Sequence, residues 1–91
     1  MIIPSTFEMG GFTWRVQRRK RLKGRYGDCN MATRTIQILD TLDQDLKEQT
    51  FLHELLHCVK FSMGIEQHNH NEVEIDAMAV FLHQYMKTMK E

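Results

Sequence analysis

The sequence is poor in the residues that define several protein classes. Its 91 residues include one proline, five glycines, one tryptophan and two cysteines. With 42% hydrophobic and 26% charged residues, this composition excludes collagen-like, low-complexity and natively disordered chains. Two cysteines, Cys29 and Cys58, are too few for a disulfide framework and are expected to be free thiols. We expect a single small domain over residues 1–91.

Long apolar runs are also missing. No stretch approaches the ~20 apolar residues that a membrane-spanning helix needs. The first five residues have neither the basic segment nor the apolar segment of a signal peptide, so the sequence predicts a cytoplasmic protein with no membrane partner. A chain this short gains little stability from core burial alone, and a bound metal ion or partner would add to it.

The net charge is zero, but the two halves of the chain differ. Residues 1–38 carry eight Lys and Arg against two acids, and residues 39–91 carry four Lys against ten acids. Seven of the twelve basic residues lie in the segment Arg15–Arg25. In the first interpretation, this segment is a solvated surface that packs on the acidic segment Asp40–Glu48. In the second, it binds nucleic acid or an acidic protein. Zero net charge is atypical of a dedicated nucleic-acid binder and favours the first interpretation.

Hydrophobic alternation predicts short strands in the first forty residues. Thr6–Met9 and Phe12–Val16 flank two glycines, a pattern typical of a β-hairpin. Two further strands are predicted over Arg25–Asn30 and Thr35–Leu39. We therefore expect a small antiparallel sheet of three to four strands.

After these strands, the spacing of apolar residues changes to the helical period. Thr41 and Gln44 have the spacing of a capping box, and Gly64 is a suitable helix end. Residues 66–71 are predicted to form a loop, after which a second helix starts near Asn69 or Asn71. Apolar residues repeat at helical spacing in both helices, at Leu52, Leu56, Val59 and Met63 in the first and at Ile75, Met78, Ala79, Leu82, Met86 and Met89 in the second. The predicted fold class is α+β, a small sheet followed by two long helices.

The first predicted helix contains the motif H-E-x-x-H, from His53 to His57. Residues i and i+4 lie one helical turn apart, so both imidazoles can reach a single zinc ion. Glu54 lies beside them as the candidate general base. A shuffled chain of this composition would contain the motif roughly 0.02 times, which makes a coincidental match the weaker interpretation.

A catalytic zinc site needs a third protein ligand and an open position for water. Glu72 is the first candidate, and Asp76, four residues later, would then fix the tautomer of a ligating histidine. Glu74 competes for the role of third ligand, although its spacing from Asn71 also suits a helix cap. Three histidines remain further alternatives: His68, His70 and His83.

These motifs together resemble a known family. The segment Thr50–His57, followed by Glu72–Ala79, is similar to the small phage- and prophage-encoded zinc metallopeptidases of the gluzincin type, related to ImmA/IrrE. The segment Tyr26–Ile38 resembles the strand pair before the zinc helix in that group. The resemblance spans residues 25–86 and implies a metal site formed by His53, His57 and Glu72, with the E-x-x-x-D pattern completed by Asp76.

The function expected from this resemblance is zinc-dependent hydrolysis of a peptide or protein substrate. Glu54 would be the catalytic base, and an extended substrate would pair with an exposed sheet edge, which we place at Thr35–Leu39. Tyr26, His70 and His83 are candidates for stabilising the oxyanion. The alternative is a non-catalytic, zinc-stabilised module that binds a protein or nucleic acid through Arg15–Arg25.

Overall fold

The first half of the chain forms a four-stranded sheet, in a computed structural model that describes residues 1–64 and 72–89. The sheet has the order β1-β2-β4-β3, and its strands are β1 (Thr6–Met9), β2 (Phe12–Arg19), β3 (Gly27–Asn30) and β4 (Thr35–Leu39). Two helices follow, α1 (Gln44–Ser62) and α2 (Glu72–Thr88). The predicted α+β arrangement is confirmed.

The sheet is mixed, so the expectation of a wholly antiparallel sheet is wrong for one pair of strands. β1 pairs with β2, and β3 with β4, in antiparallel hairpins, whereas β2 and β4 are parallel. The chain after β2 crosses two strand spacings, roughly 10 Å, before β3 begins. β4 then returns into the gap between β2 and β3, which leaves β3 at the edge of the sheet.

The start of α1 differs from the predicted capping box. Asp43 is the N-cap, with extended backbone, and its carboxylate accepts a hydrogen bond from the Leu46 N–H at 2.9 Å. Gln44 instead donates to Glu48, so the predicted pairing of Gln44 with Thr41 is wrong. The predicted end of the helix is confirmed, because Gly64 follows the last turn with φ +80°, a conformation that glycine adopts without strain.

The core lies between the sheet and α1. Trp14, Ile36 and Ile38 point from the strands toward Phe51 and Leu52 of the helix. The predicted stripe of α1 is only partly buried, since Met63 is 66% exposed at the end of the helix. The buried side of α1 also includes polar residues, since Glu54 and His57 are buried together with Cys58.

α2 forms a third layer that packs on α1 rather than on the sheet. Ile75 and Ala79 of its predicted stripe are buried, and Met86 is half-buried. Met78, Leu82 and Met89 are exposed. The predicted loop over residues 66–71 and the predicted helix starts at Asn69 and Asn71 lie outside the described residues. Neither described helix combines the length and apolar character that crossing a bilayer requires.

Candidate metal centre

α1 presents His53 and His57 as neighbours one turn apart. Their Nε2 atoms lie 3.2 Å from each other, and their ring centroids are 4.9 Å apart. His57 is buried and His53 is half-buried. Because the i, i+4 spacing places both side chains on one face of a helix, the two nitrogens are directed at a common point on the side that faces α2.

α2 begins with Glu72, whose carboxylate approaches the same point from the opposite side. Oε2 lies 2.9 Å from Nε2 of His53, and Oε1 lies 2.9 Å from Nε2 of His57. Ligand atoms from the three residues all lie within 4.8 Å of one another. A tetrahedral ion with ligands at ~2.0–2.1 Å spaces its donor atoms roughly 3.3 Å apart. Two imidazoles and a carboxylate at this spacing are therefore a donor set that fits zinc.

Asp76 fixes the orientation of one imidazole. Its Oδ1 lies 2.6 Å from Nδ1 of His53. A carboxylate only accepts hydrogen bonds, so an Nδ1 that donates its proton to Asp76 would leave the lone pair of Nε2 available to a metal ion. The E-x-x-x-D spacing therefore places two acids of α2 on the two nitrogens of His53.

Glu54 is buried beside this group, at 8% exposure. It lines a cavity of about 300 Å³ together with His53, His57 and Glu72. The pKa of Glu54 is raised to about 7, chiefly because burial removes hydration from the ionised carboxylate; His53 opposes this shift, and the nearby Glu72 carboxylate adds to it. Its position supplies a proton-accepting group on the wall of the same cavity.

Gly27 is a site residue that the sequence reasoning missed. A Cβ atom at this position would lie 2.6 Å from Cγ2 of Thr50 and 3.4 Å from Cγ of Glu54. The absence of a side chain therefore lets β3 approach α1 closely at the level of Glu54. A glycine inside a predicted strand is the sequence signal for such an approach.

A second cavity, of about 480 Å³, adjoins the first and is also lined by His53 and Glu54. Its walls come from the residues before and at the start of β3, from α1 and from α2. They include Tyr26, which is 56% exposed. The two cavities share Gly27, His53 and Glu54 as lining residues, and we refer to them together as the cleft. The edge strand β3 contributes Gly27, Asp28 and Cys29 to its walls.

The other ligand candidates do not join His53 and His57. Glu74 is exposed and is not part of the three-residue group. His83 lies toward the opposite end of α1, with Nε2 2.8 Å from Oε1 of Glu48, so it can neither serve as the third ligand nor stabilise an oxyanion in this cleft. His68 and His70 lie outside the described residues.

His83, Glu48 and Asp45 form a second group of closely spaced potential ligands. Cations of the chain already neutralise both acids. Lys87 lies 2.7 Å from Asp45, and the amino group of Met1 lies 3.5 Å from Glu48. We therefore assign this group to holding α1 and α2 together.

The two cysteines lie together beneath the cleft. Cys29 Sγ of β3 and Cys58 Sγ of α1 are 3.4 Å apart, and both are free thiols. The hydrogen bond with Cys58, together with burial, raises the pKa of the Cys29 thiol above its usual range. The protonated Cys29 is thus neither an activated nucleophile nor a ready metal ligand, and Cys58 is buried in the core.

In comparisons with known proteins, no family model, no curated protein and no solved structure matches this chain. A functional assignment consequently depends on the chemistry and geometry of the site.

Proposed function

We propose that the protein is a zinc-dependent peptidase of the gluzincin type. Zinc would be held by His53, His57 and Glu72, and Glu54 would be the catalytic base. The observation that supports this proposal most directly is the convergence of two imidazole nitrogens and one carboxylate on a single point beside a buried glutamate. The resemblance to small phage-encoded metallopeptidases implies the same class.

Each residue then has a chemical task in the hydrolysis. A bound zinc ion would supply Lewis acidity, which polarises the scissile carbonyl and makes water a better nucleophile. Glu54 accepts the proton of the attacking water and passes it to the leaving nitrogen. Asp76 keeps His53 in the tautomer whose Nε2 is free to ligate.

The substrate strand is proposed to pair with β3. The expectation that it pairs with Thr35–Leu39 is wrong, because β4 is already paired on both sides, with β2 and with β3. In the described part of the chain, the outer edge of β3 pairs with no strand. An antiparallel pair is the more stable arrangement per residue, so the amino end of the substrate would lie near Asn30 and its carboxyl end near Gly27.

The proposal is tested by zinc content and by cleavage. Mass spectrometry of protein purified without added metal is expected to show one zinc per chain in the wild type and in Glu54→Gln, and almost none in Glu72→Ala. Glu74→Ala is the matched control, because it removes a neighbouring acid of the same helix turn and should keep its zinc. A mixed peptide pool should be cleaved by the wild type and left intact by Glu54→Gln.

Two results would overturn the proposal in different ways. A wild-type protein that holds no zinc even after the metal is added back excludes a metallopeptidase. One zinc per chain without cleavage of any peptide would indicate a non-catalytic, zinc-stabilised module.

A further inference from the structure

Five basic residues lie close together where β2 leads into β3. They belong to a segment that we call the basic loop, residues 19–25, and are Arg19, Lys20, Arg21, Lys23 and Arg25. All five are exposed. Within the described chain, Arg25 alone among them has a carboxylate within 4 Å, that of Asp28 at 3.2 Å. The loop therefore presents several cations that have no acidic partner in the described part of the molecule.

The acidic segment Asp40–Glu48 does not neutralise this loop. Among the described residues, its one ion pair with the basic segment joins Arg18, which precedes the loop, to Asp40 at 3.7 Å, and Asp40 also lies 3.1 Å from Lys47. The predicted docking of the basic segment on the acidic half is thus limited to one exposed pair. Such a pair contributes little to stability.

The basic loop is anchored rather than merely solvated. Leu22 is buried in its middle, at 7% exposure, and the carbonyl of Leu22 accepts a hydrogen bond from the Arg25 N–H at 3.0 Å. Gly24, with φ +78°, allows the tight turn between them. The buried Leu22 thus anchors the backbone from which these cations extend into solvent.

The loop also borders the catalytic cleft. Gly24, Arg25 and Tyr26 line the 480 Å³ cavity that contains His53 and Glu54. These residues continue directly into Gly27, the start of β3. A peptide paired antiparallel to β3 would leave the cleft along Tyr26 and Arg25, toward the basic loop.

We propose that the basic loop selects substrates that carry Asp or Glu on the carboxyl-terminal side of the scissile bond. This inference rests on the proposed function, because it takes its direction from a substrate bound along β3. Opposite charges attract over about 10 Å at 0.1 M salt, so side chains of the loop can act on acids a few residues beyond the cleaved bond. The occupant is an acidic, extended peptide.

Nucleic acid fits the same surface less well. Binding of single strands combines cations with aromatic platforms for the bases. Trp14, the aromatic residue nearest in sequence on the β2 side, is 1% exposed and belongs to the core, which leaves Tyr26 as the aromatic side chain beside the loop. Arg25 lines the cavity beside β3, so the loop lies where a peptide paired with that strand would leave the cleft.

The experiment measures peptide binding by fluorescence anisotropy to zinc-loaded Glu54→Gln, which cannot turn over its ligand. Three labelled peptides of equal length carry two acids in the carboxyl-terminal half, two acids in the amino-terminal half, or none. The first is expected to bind most tightly and to weaken as salt rises. Arg21→Gln and Arg25→Gln should each weaken its binding about two- to fivefold, the range for single exposed charge pairs.

Arg15→Gln is the matched control. Arg15 is an exposed arginine of β2 with no ion pair among the described residues, and it points away from the core to which Trp14 belongs. The substitution Arg15→Gln removes one positive charge, as the loop variants do, but at a position outside the cleft, so peptide binding should not change. Equal binding of the three peptides, an equal effect of Arg15→Gln, or displacement of the peptide by tighter-binding single-stranded DNA would each overturn the inference.

Cleavage by the wild type separates this inference from the proposed function. Equal kcat/KM for the acidic and neutral peptides would overturn the charge selection while leaving the peptidase intact. Selective, loop-dependent binding without any cleavage would overturn the peptidase and leave the basic loop as a binding site for acidic peptides. Zinc content and circular dichroism of each variant show that it is folded.

Discussion

Asp76 shows how a single exposed residue can determine the state of the proposed site. Its side chain is 70% exposed, yet it contacts Nδ1 of His53 at 2.6 Å. Removing it would free the ring of His53 to rotate and to place its proton on Nε2. Asp76 would thus affect metal binding without contacting the metal itself.

We therefore expect Asp76→Ala to lower zinc affinity about 10- to 100-fold, the usual cost of losing a partner that orients a ligating histidine. Competition with a chromophoric chelator measures this affinity. Glu74→Ala, two positions earlier on the same helix, should bind zinc as the wild type does. Unchanged affinity in Asp76→Ala would show that the contact with His53 has no role in ligation.

The candidate site was predictable from the sequence where it depends on local geometry. The i, i+4 pair His53 and His57 follows from the helical repeat alone. The sequence favours Glu72 as third ligand but leaves Glu74 and three histidines open, because choosing among them requires the packing of α2 against α1. Gly27 was missed because its importance lies in a contact between β3 and Thr50, which are distant in sequence.

At the scale of single elements, the start of α1 depends on Asp43. Its carboxylate caps the helix by accepting from Leu46, and α1 carries both histidines and Glu54. Asp43→Ala should lower the free energy of unfolding by about 0.5–2 kcal/mol. Urea denaturation with a chelator present measures this loss without a contribution from zinc.

Thr41→Ala distinguishes the observed cap from the predicted one. Thr41 is exposed and precedes the N-cap by two residues, so its replacement should change stability by less than about 0.5 kcal/mol. A larger loss for Thr41 than for Asp43 would contradict the observed cap and support the capping box.

Strands and helices were predictable because their hydrophobic periods are local. The hairpin of β1 and β2 follows from the glycine pair between two alternating segments, and β4 has the predicted bounds. The parallel pairing of β2 with β4 was not predictable. It depends on where the segment after β2 crosses the sheet, and a basic, polar stretch carries no signal for that path.

At the scale of the whole molecule, Glu48 joins three parts of the chain. It is buried in α1 and contacts His83 of α2 and the amino group of Met1, and it accepts a hydrogen bond from Gln44. Burial by itself raises the pKa of Glu48, but the hydrogen bonds from Gln44 and His83 and the nearby amino group outweigh this, so the pKa is lowered from its usual value of 4.5.

This lowered pKa makes part of the stability dependent on pH. A group with a depressed folded-state pKa contributes stability above its unfolded pKa and loses that contribution as the pH falls through the folded-state pKa. Glu48→Gln should therefore lower the free energy of unfolding by about 1–3 kcal/mol at pH 7. Its difference from the wild type should shrink as the pH falls below about 4.5.

Urea denaturation at a series of pH values, with a chelator present, measures this difference. Glu8→Gln, which replaces an exposed acid of β1, is the control and should follow the wild type throughout. A difference for Glu48→Gln that grows toward low pH would contradict the assigned direction of the pKa shift.

The ligands of the proposed site come from two helices, His53 and His57 from α1 and Glu72 from α2. An ion held by all three would bind the folded chain and not the unfolded one, and such binding stabilises a protein by mass action. At a free zinc concentration a hundred times the dissociation constant, the gain is about 2.7 kcal/mol. The packing of α2 on α1 would thus depend on the supply of metal.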